Sequence, residues 1–112
     1  MPQFALLEHD HPVLHWDFML ECGDVLRTWR LDAIPQTDGE IGAEALPDHR
    51  IAYLEYEGPV SGDRGHVHRI DRGNYELLRD ESGKLEVELN GQRLQGRAVI
   101  KGDRFYWIRS VR

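Results

Sequence analysis

Short runs in which apolar and polar residues alternate, separated by turn-forming residues, dominate the chain and predict β-strands. In the clearest run, Leu85–Leu89, leucine and valine alternate with glutamate. Cys22-Gly23-Asp24 and Gly102-Asp103 are typical of tight turns between antiparallel strands. The predicted strands are Phe4–Leu7, Leu14–Glu21, Val25–Leu31, Ile51–Tyr56, Gly65–Ile70, Tyr75–Leu78, Leu85–Leu89, Arg97–Ile100 and Phe105–Arg109. The predicted fold class is therefore mainly β: a compact, single-domain antiparallel β-barrel over residues 1–112, with short turns and little helix.

One long segment and the placement of the aromatic residues qualify this pattern. Asp32–Pro47 contains two prolines and two glycines and is predicted to be a long connection, of the kind that is often functional or mobile. The aromatic residues alternate with charged residues, which favours burial in the core or at the barrel rim over base stacking. They are Trp16, Phe18, Trp29, Tyr56, Phe105, Tyr106 and Trp107.

The strand Leu14–Glu21 carries the most informative chemistry of the chain. Side chains alternate between the two faces of a strand, so His15, Asp17 and Met19 share a face opposite Trp16, Phe18 and Leu20. His9 precedes His15 by six residues, close enough for the chain to fold it back beside that face. Two imidazoles and one carboxylate suit a divalent metal with open positions for water or substrate. The alternative is that these three residues are ordinary polar residues on an exposed strand face.

His49 and Tyr53 form a second candidate pair. With a strand that starts at Ile51, Tyr53 and Glu55 share a face, and His49 lies just ahead. Near a metal, a histidine and a tyrosine can donate hydrogen bonds to a phosphoryl oxygen or carry protons. The alternative is a packed tyrosine with its hydroxyl at the surface.

His66 and His68 share a predicted strand face, with Val67 on the other face. They are candidate ligands of a second metal, and the competing interpretation is that both are exposed residues on the outer face of the barrel. The sequence leaves their role open.

Composition sets broad limits on function. Charged residues make up 30% of the chain and apolar residues 40%, with no apolar run as long as a membrane span. The formal net charge of −6 argues against broad, non-specific phosphate binding but not against a local basic pocket. Cys22 is the one cysteine, and the first residues do not form a signal peptide, so a cytoplasmic location is expected.

Motifs along nearly the whole chain, in the right order, resemble the 3′-phosphoesterase domain of bacterial DNA ligase D. The matching segments are Phe4–Asp10, Leu14–Glu21, Leu26–Trp29, Asp48-His49 with Tyr53, Glu57-Gly58, Asp71–Glu76 (with an Asp-Arg-Gly turn before an aromatic residue) and Gly83–Gly96. The resemblance implies a compact β-barrel with its active site in a crescent-shaped concavity. It also implies a divalent metal, usually manganese, and removal of ribonucleosides and phosphates from the 3′ end of a primer strand during end joining.

By position, the resemblance makes His9, His15 and Asp17 the metal ligands, and His49 and Tyr53 the residues that engage the phosphate and assist proton transfer. The nucleic-acid 3′ end is the implied partner, with a ligase or polymerase of end joining as a further candidate. Three positions depart from the family pattern. Met19 and, approximately, Ile41 replace arginines, and Pro47 replaces an acid.

These departures leave three hypotheses for function. The first is a metal-dependent phosphoesterase that acts on nucleic-acid 3′ ends, which the retained ligand set favours. The second is a relative that binds metal, nucleic acid or a repair partner without turnover, which the missing arginines favour. The third is a metal-dependent hydrolase of a less anionic substrate.

Overall fold

The computed structural model describes residues 1–37 and 39–110, and antiparallel strands account for most of this part of the chain. The strands are β1 (Gln3–His9), β2 (His15–Cys22), β3 (Val25–Leu31), β4 (Ile41–Arg50), β5 (Gly58–Pro59), β6 (His66–Glu81), β7 (Lys84–Gly91), β8 (Gln95–Lys101) and β9 (Arg104–Arg109). A 3-10 helix spans Ile51–Leu54, between β4 and β5. No helical segment in the described residues has the length and apolarity needed to span a membrane.

The sheet closes on itself. Its strand order is β1-β2-β3-β4-β9-β8-β7-β6, and β6 also pairs with β1, so the hydrogen-bonded strands form a ring. The short strand β5 adds to the edge of β6 beyond the ring. The prediction of a mainly β, antiparallel, barrel-like fold is therefore confirmed. Along the paired parts of the strands, ring closure removes the exposed sheet edges that invite pairing with other chains.

Two apolar clusters lie on opposite faces of the sheet, because side chains of each strand alternate. The larger cluster fills the inside of the ring and draws on strands all around it, with Phe4, Phe18 and Phe105 among its fully buried members. The smaller cluster lies on the outer face of β1 and β2. Its buried members are Ala5, Leu7, Met19, Leu26, Leu54 and Val67. Leu54 brings the 3-10 helix down onto this outer face, so part of it is covered.

The predicted connection Asp32–Pro47 is wrong over its second half, because β4 begins at Ile41. Gly42 lies inside β4, where the Asp32 carboxylate occupies the space that a Cβ would need and accepts a hydrogen bond from the Gly42 N–H at 3.0 Å. Pro47 is tolerated because β4 pairs with β9 only at Ile41 and Gly42, which leaves an edge beyond that point. Asp38 lies outside the described residues.

The predicted strand Ile51–Tyr56 is also wrong. The chain turns into the 3-10 helix, closed by a hydrogen bond from the Glu55 N–H to the Ala52 carbonyl at 3.1 Å. Burial of Leu54 at 5% exposure, with Ile51 and Ala52 exposed, favours this turn over an alternating strand. His49 and Tyr53 therefore belong to different elements, and Tyr53 and Glu55 do not share a strand face.

The two predicted strands Gly65–Ile70 and Tyr75–Leu78 are one continuous strand, β6. Asp71-Arg72-Gly73 is consequently not a turn but the middle of that strand. Gly73 pairs with Phe4 on one side and Gly91 on the other, and a Cβ there would collide with the Asn90 carbonyl. The glycine marks a close approach of backbones rather than a break in the strand.

Candidate metal centre and adjoining cavity

The register of the β1–β2 pair brings the three predicted ligands together. His9 lies directly opposite His15, and Asp17 lies two residues further along β2 on the same face. One ligand-type atom from each of the three side chains lies within 4.8 Å of the other two. The Asp17 carboxylate stands between the imidazoles, with Oδ1 3.2 Å from His15 Nε2 and Oδ2 3.8 Å from His9 Nδ1. Among the described residues, this is the group in which three or more such side chains converge.

Backbone carbonyls orient both imidazoles. His15 Nδ1 lies 2.8 Å from the Val13 carbonyl, and His9 Nε2 lies 2.9 Å from the Arg64 carbonyl. A carbonyl can only accept a hydrogen bond, so these two nitrogens carry the protons. In the neutral rings, the remaining nitrogens, Nε2 of His15 and Nδ1 of His9, present lone pairs toward Asp17. Metal-binding histidines usually have this arrangement, in which one ring nitrogen faces the metal and the other donates its N–H to a carbonyl or carboxylate.

The donor set fits a divalent cation. His15 and Asp17 are 5% and 3% exposed, so the hypothesis that they are surface residues is wrong. Asp17 Oδ1 is buried and has no hydrogen-bond donor among the described residues. When both rings are neutral, two imidazole lone pairs and a carboxylate face one another, and a cation bound between them would satisfy acceptors that are costly to bury without a partner. Two nitrogens and one oxygen on one side of a site are a ligand set known for first-row divalent metals.

A cavity of 390 Å³ opens beside this group, and it also contains the second predicted pair. His9, Asp17, His49 and Tyr53 all line it. The rings of His49 and Tyr53 are 6.2 Å apart, and the Pro47 carbonyl lies 3.0 Å from His49 Nδ1. By the same reasoning His49 Nδ1 carries the proton, which leaves Nε2 as the acceptor of the neutral ring. The structure thus brings His9 and Asp17 of the first predicted group to one cavity with both His49 and Tyr53, although Tyr53 reaches it from a helix rather than a strand.

The two positions where the resemblance implies arginine lie in apolar surroundings. Met19 is 1% exposed, belongs to the smaller apolar cluster and lines the cavity. Ile41 packs against the larger cluster, at the first residue of β4. The cationic residues on the cavity wall are Arg50 and Arg64, and Arg64 donates through Nε to the Ser61 carbonyl at 2.7 Å. The cavity wall therefore carries fewer arginines near Asp17 than the family pattern implies, because Met19 stands in place of one of them.

His66 and His68 are exposed on one face of β6, with Val67 buried on the other, as the alternation predicts. Each faces a different carboxylate: His66 Nδ1 lies 3.9 Å from Asp10, and His68 Nδ1 lies 3.1 Å from Glu57. Within the described residues, neither belongs to a group of three ligand-type side chains. Both histidines are therefore exposed, as the competing interpretation has it, but they do not lie on the outer face, because Val67, which points the opposite way, belongs to the smaller, outer-face cluster.

Asp10 and Gly65 help to position His9 of the candidate site, and no sequence pattern identifies either residue in this role. Asp10 Oδ1 accepts a hydrogen bond from the His66 N–H at 2.7 Å, which fastens the end of β1 to the start of β6. Gly65 lies directly against Asp10 and His11, with φ at +77°, so only glycine fits this close approach. The result is that the Arg64 carbonyl stands beneath His9. The pairing spans 56 residues, so no local pattern signals it.

Acid is expected to release this fastening. The hydrogen bond from the His66 N–H lowers the pKa of Asp10 below its ordinary value of 3.8. In the same way, the Arg69 N–H, which lies 2.9 Å from Glu57 Oε2, lowers the pKa of Glu57 below its ordinary value of 4.5. Because the carboxyl pKa is lowered in the folded protein, each hydrogen bond is intact at a pH above the ordinary carboxyl pKa. It is lost as the pH falls through the lower pKa of the folded protein. In an NMR titration from pH 6 to pH 2, the His66 and Arg69 amide signals are expected to shift with midpoints below 3.8 and 4.5.

The Gly102 amide, which bonds to the Gly83 carbonyl, provides an internal reference that should not follow either transition. Midpoints at or above the ordinary carboxyl values would contradict the arrangement described for Asp10 and Glu57.

A closed antiparallel sheet in which two imidazoles and a carboxylate converge beside one cavity defines a β protein with a candidate metal centre. The family model described as the DNA Ligase D 3′-phosphoesterase domain matches residues 7–101, and this chain belongs to that family.

Two longer relatives are similar to this chain over nearly its whole length. The multifunctional non-homologous end joining protein LigD of Pseudomonas aeruginosa is 31% identical over 121 aligned residues, covering 95% of this chain and 14% of that protein. The multifunctional non-homologous end joining DNA repair protein LigD of Mycobacterium tuberculosis is 34% identical over 115 residues, covering 94% of this chain and 15% of that protein. The chain thus spans about one seventh of the length of these relatives.

Proposed function

We propose that this chain is a metal-dependent phosphoesterase that removes phosphate or a ribonucleoside from nucleic-acid 3′ ends in DNA end repair. The observation that carries the proposal is the convergence of His9, His15 and Asp17 beside a cavity that also holds His49 and Tyr53. Family membership supports the reaction class and the type of substrate. The overall negative charge is compatible with this role, because a site responds mainly to charges within about 10 Å.

His9, His15 and Asp17 would hold a divalent ion, which we propose to be Mn²⁺. When bound, the ion supplies Lewis-acid polarisation and neutralises charge on the phosphoryl oxygens. The protein itself orients the ligands. The Val13 and Arg64 carbonyls fix the two imidazole rings by hydrogen bonds, so the ligand side chains are preorganised for metal binding. Burial of Asp17 excludes water from one side of the site.

In the proposed hydrolysis, a water oxygen forms a bond to phosphorus while the bond from phosphorus to the 3′ oxygen breaks. One proton leaves the water and another reaches the departing oxygen, giving a 3′-hydroxyl and inorganic phosphate. Nε2 of His49 is the acceptor nitrogen of a half-buried ring on the cavity wall, and it is suited to proton transfer. The Tyr53 hydroxyl supplies a hydrogen-bond donor to the phosphoryl group, and Arg50 supplies a cation at the rim.

The test is turnover of a primer–template that ends in a 3′-phosphate. Wild-type protein is expected to release inorganic phosphate when Mn²⁺ is added and to stop when EDTA is added. His49→Ala is expected to reduce kcat by about 100-fold or more, because loss of a general acid or base costs about 10²- to 10⁴-fold. Its affinity for Mn²⁺ should not change, since His49 is outside the ligand group.

His68→Ala is the matched control, because it removes an exposed imidazole that does not line the cavity. Failure of the wild-type protein to release phosphate at any Mn²⁺ concentration would refute the proposed activity. Equal rates for the wild type and His49→Ala would refute the role of His49.

A second candidate function is binding of metal and nucleic acid without turnover. The buried, apolar setting of Met19 favours it, because a methionine offers neither the charge nor the donor fork of an arginine. Under this candidate, calorimetry would detect Mn²⁺ and primer–template binding while phosphate release stayed absent even at high protein concentration. A ligase or polymerase of end joining as a partner, and a cytoplasmic location, also remain predictions.

A further inference from the structure

A second cavity, of 340 Å³, adjoins the candidate metal site and shares part of its wall. Arg50, Tyr53 and Val60 line both cavities. Beyond them, the second cavity is bounded by Tyr56 and Pro59 and lies between the 3-10 helix and the chain that follows β5. Its volume is within the range of small-molecule sites, about 300–1,000 Å³.

Two tyrosines give the second cavity an aromatic wall. The rings of Tyr53 and Tyr56 are 5.9 Å apart and nearly perpendicular, at 87°. The Tyr56 hydroxyl donates a hydrogen bond to the Pro59 carbonyl, which ties the ring to the opposite wall. Tyr56 is 38% exposed and belongs to neither apolar cluster, so of the predicted core or rim positions it does not take the core one. An exposed aromatic ring held in place beside a cavity is a surface on which a flat ring can stack.

We propose that this second cavity binds the nucleobase of the 3′-terminal nucleoside, with Tyr56 as the residue that stacks on it. The inference rests on the proposed function, which places the phosphate at His9, His15 and Asp17. A nucleoside joined to that phosphate must lie within one sugar's length of it. Tyr53 lines both cavities, so the second cavity is the neighbouring space into which such a nucleoside extends.

The walls of the second cavity favour a base over another phosphate. Arg50 is the cationic residue that lines it, and the remaining wall is formed by aromatic, aliphatic and hydroxyl side chains. Stacking on tyrosine is tolerant of sequence because every nucleobase has a π face. The protein should therefore prefer ends that carry a terminal nucleoside, with little preference among bases.

The test compares binding of adenosine 5′-monophosphate with binding of ribose 5-phosphate, which lacks only the base. Calorimetry in saturating Mn²⁺ is expected to show about tenfold tighter binding of the nucleotide to the wild-type protein, as one stacked base would produce. Tyr56→Ala should reduce this ratio to about twofold or less, while Tyr56→Phe, which retains the ring, should preserve it. Ile51→Ala is the matched control, since Ile51 is also 38% exposed but lies outside both cavities.

Equal affinities for the two probes, or an unchanged ratio in Tyr56→Ala, would overturn the base-binding proposal whatever the protein's activity. A normal ratio that depends on Tyr56 would support it even if phosphate release from a primer–template were absent. In that case the proposed catalytic function would fail while the subsite stood, so the two failures are distinguishable.

Discussion

Asp17→Asn is expected to abolish divalent-metal binding and, at the same time, to make the metal-free protein more stable. Metal affinity should fall by more than about 100-fold, since even the outer partners of metal ligands cost about 10- to 100-fold when they are replaced. The free energy of unfolding in EDTA should rise by about 1 kcal/mol, the net value of a typical buried hydrogen bond. For a chain of this length, that rise corresponds to an increase in Tm of about 4 °C.

The opposite signs follow from the geometry around Asp17. Its buried Oδ1 has no hydrogen-bond donor in the described residues. When the two rings are neutral, the nitrogen atoms that face Asp17 carry lone pairs, because each ring directs its one N–H to a backbone carbonyl. The asparagine amide would remove the buried charge and could donate to His15 Nε2, which lies 3.2 Å from the carboxylate. If Asp17 destabilises the metal-free protein, its role is to bind a ligand and not to stabilise the fold.

The measurement pairs calorimetric titration with Mn²⁺ and urea unfolding in EDTA. Asp48→Asn is the matched control, because Asp48 lines the same cavity but is exposed and outside the ligand group. It should change both quantities only slightly. A less stable Asp17→Asn protein with unchanged metal affinity would show that Asp17 has a structural role, and the candidate metal centre would then be wrong.

The ligand group could be predicted from the sequence because its information is local. The spacing of His15 and Asp17 matches the two-residue period of a strand, and His9 is close enough in sequence to return as the paired strand. The alternation also separates the inner residues Phe18 and Leu20 from the outer face.

The rest of the site depends on contacts between distant parts of the chain. The Arg64 carbonyl that orients His9 is 55 residues away, and it reaches the ring only because β6 pairs with β1. For the face of β2 that carries Met19, the sequence leaves an exposed strand face as the alternative to a metal site. Leu54 and Val67 bury it instead, and both come from segments more than 30 residues further along. No periodicity in one segment can report such packing.

Two glycines illustrate the same limitation. The sequence pattern places Gly42 in a long connection and Gly73 in a turn, yet each lies inside a strand where another group, the Asp32 carboxylate or the Asn90 carbonyl, leaves no room for a Cβ. A glycine required by a close approach and a glycine required by a turn look alike in a sequence. Only the partner strand distinguishes them.

Asp71→Asn is expected to cause the largest loss of stability, about 3 kcal/mol, because hydrogen bonds to a buried charged group are worth about 1.5–3 kcal/mol each. Asp71 is 3% exposed, and its carboxylate accepts three backbone N–H groups, from Gln92 at 2.9 Å, Arg93 at 3.1 Å and Leu94 at 2.7 Å. These bonds fasten the β7–β8 turn to the middle of β6. The asparagine side chain has one oxygen acceptor and one N–H₂ donor, so its N–H₂ group would face backbone N–H groups that also need an acceptor.

Thermal unfolding should show a decrease in Tm of about 12 °C for Asp71→Asn, from an unfolding entropy of about 2.1 cal/mol/K per residue. Asp32→Asn is the matched control: Asp32 also accepts a backbone N–H, from Gly42, but it is exposed, so its loss should cost less than about 1 kcal/mol. Similar losses for the two variants would show that burial does not strengthen the Asp71 bonds. Since Asp71 does not line the candidate metal cavity, Mn²⁺ affinity below the Tm should stay at the wild-type value. A stability defect with intact metal binding therefore assigns this carboxylate to the fold, in contrast to Asp17.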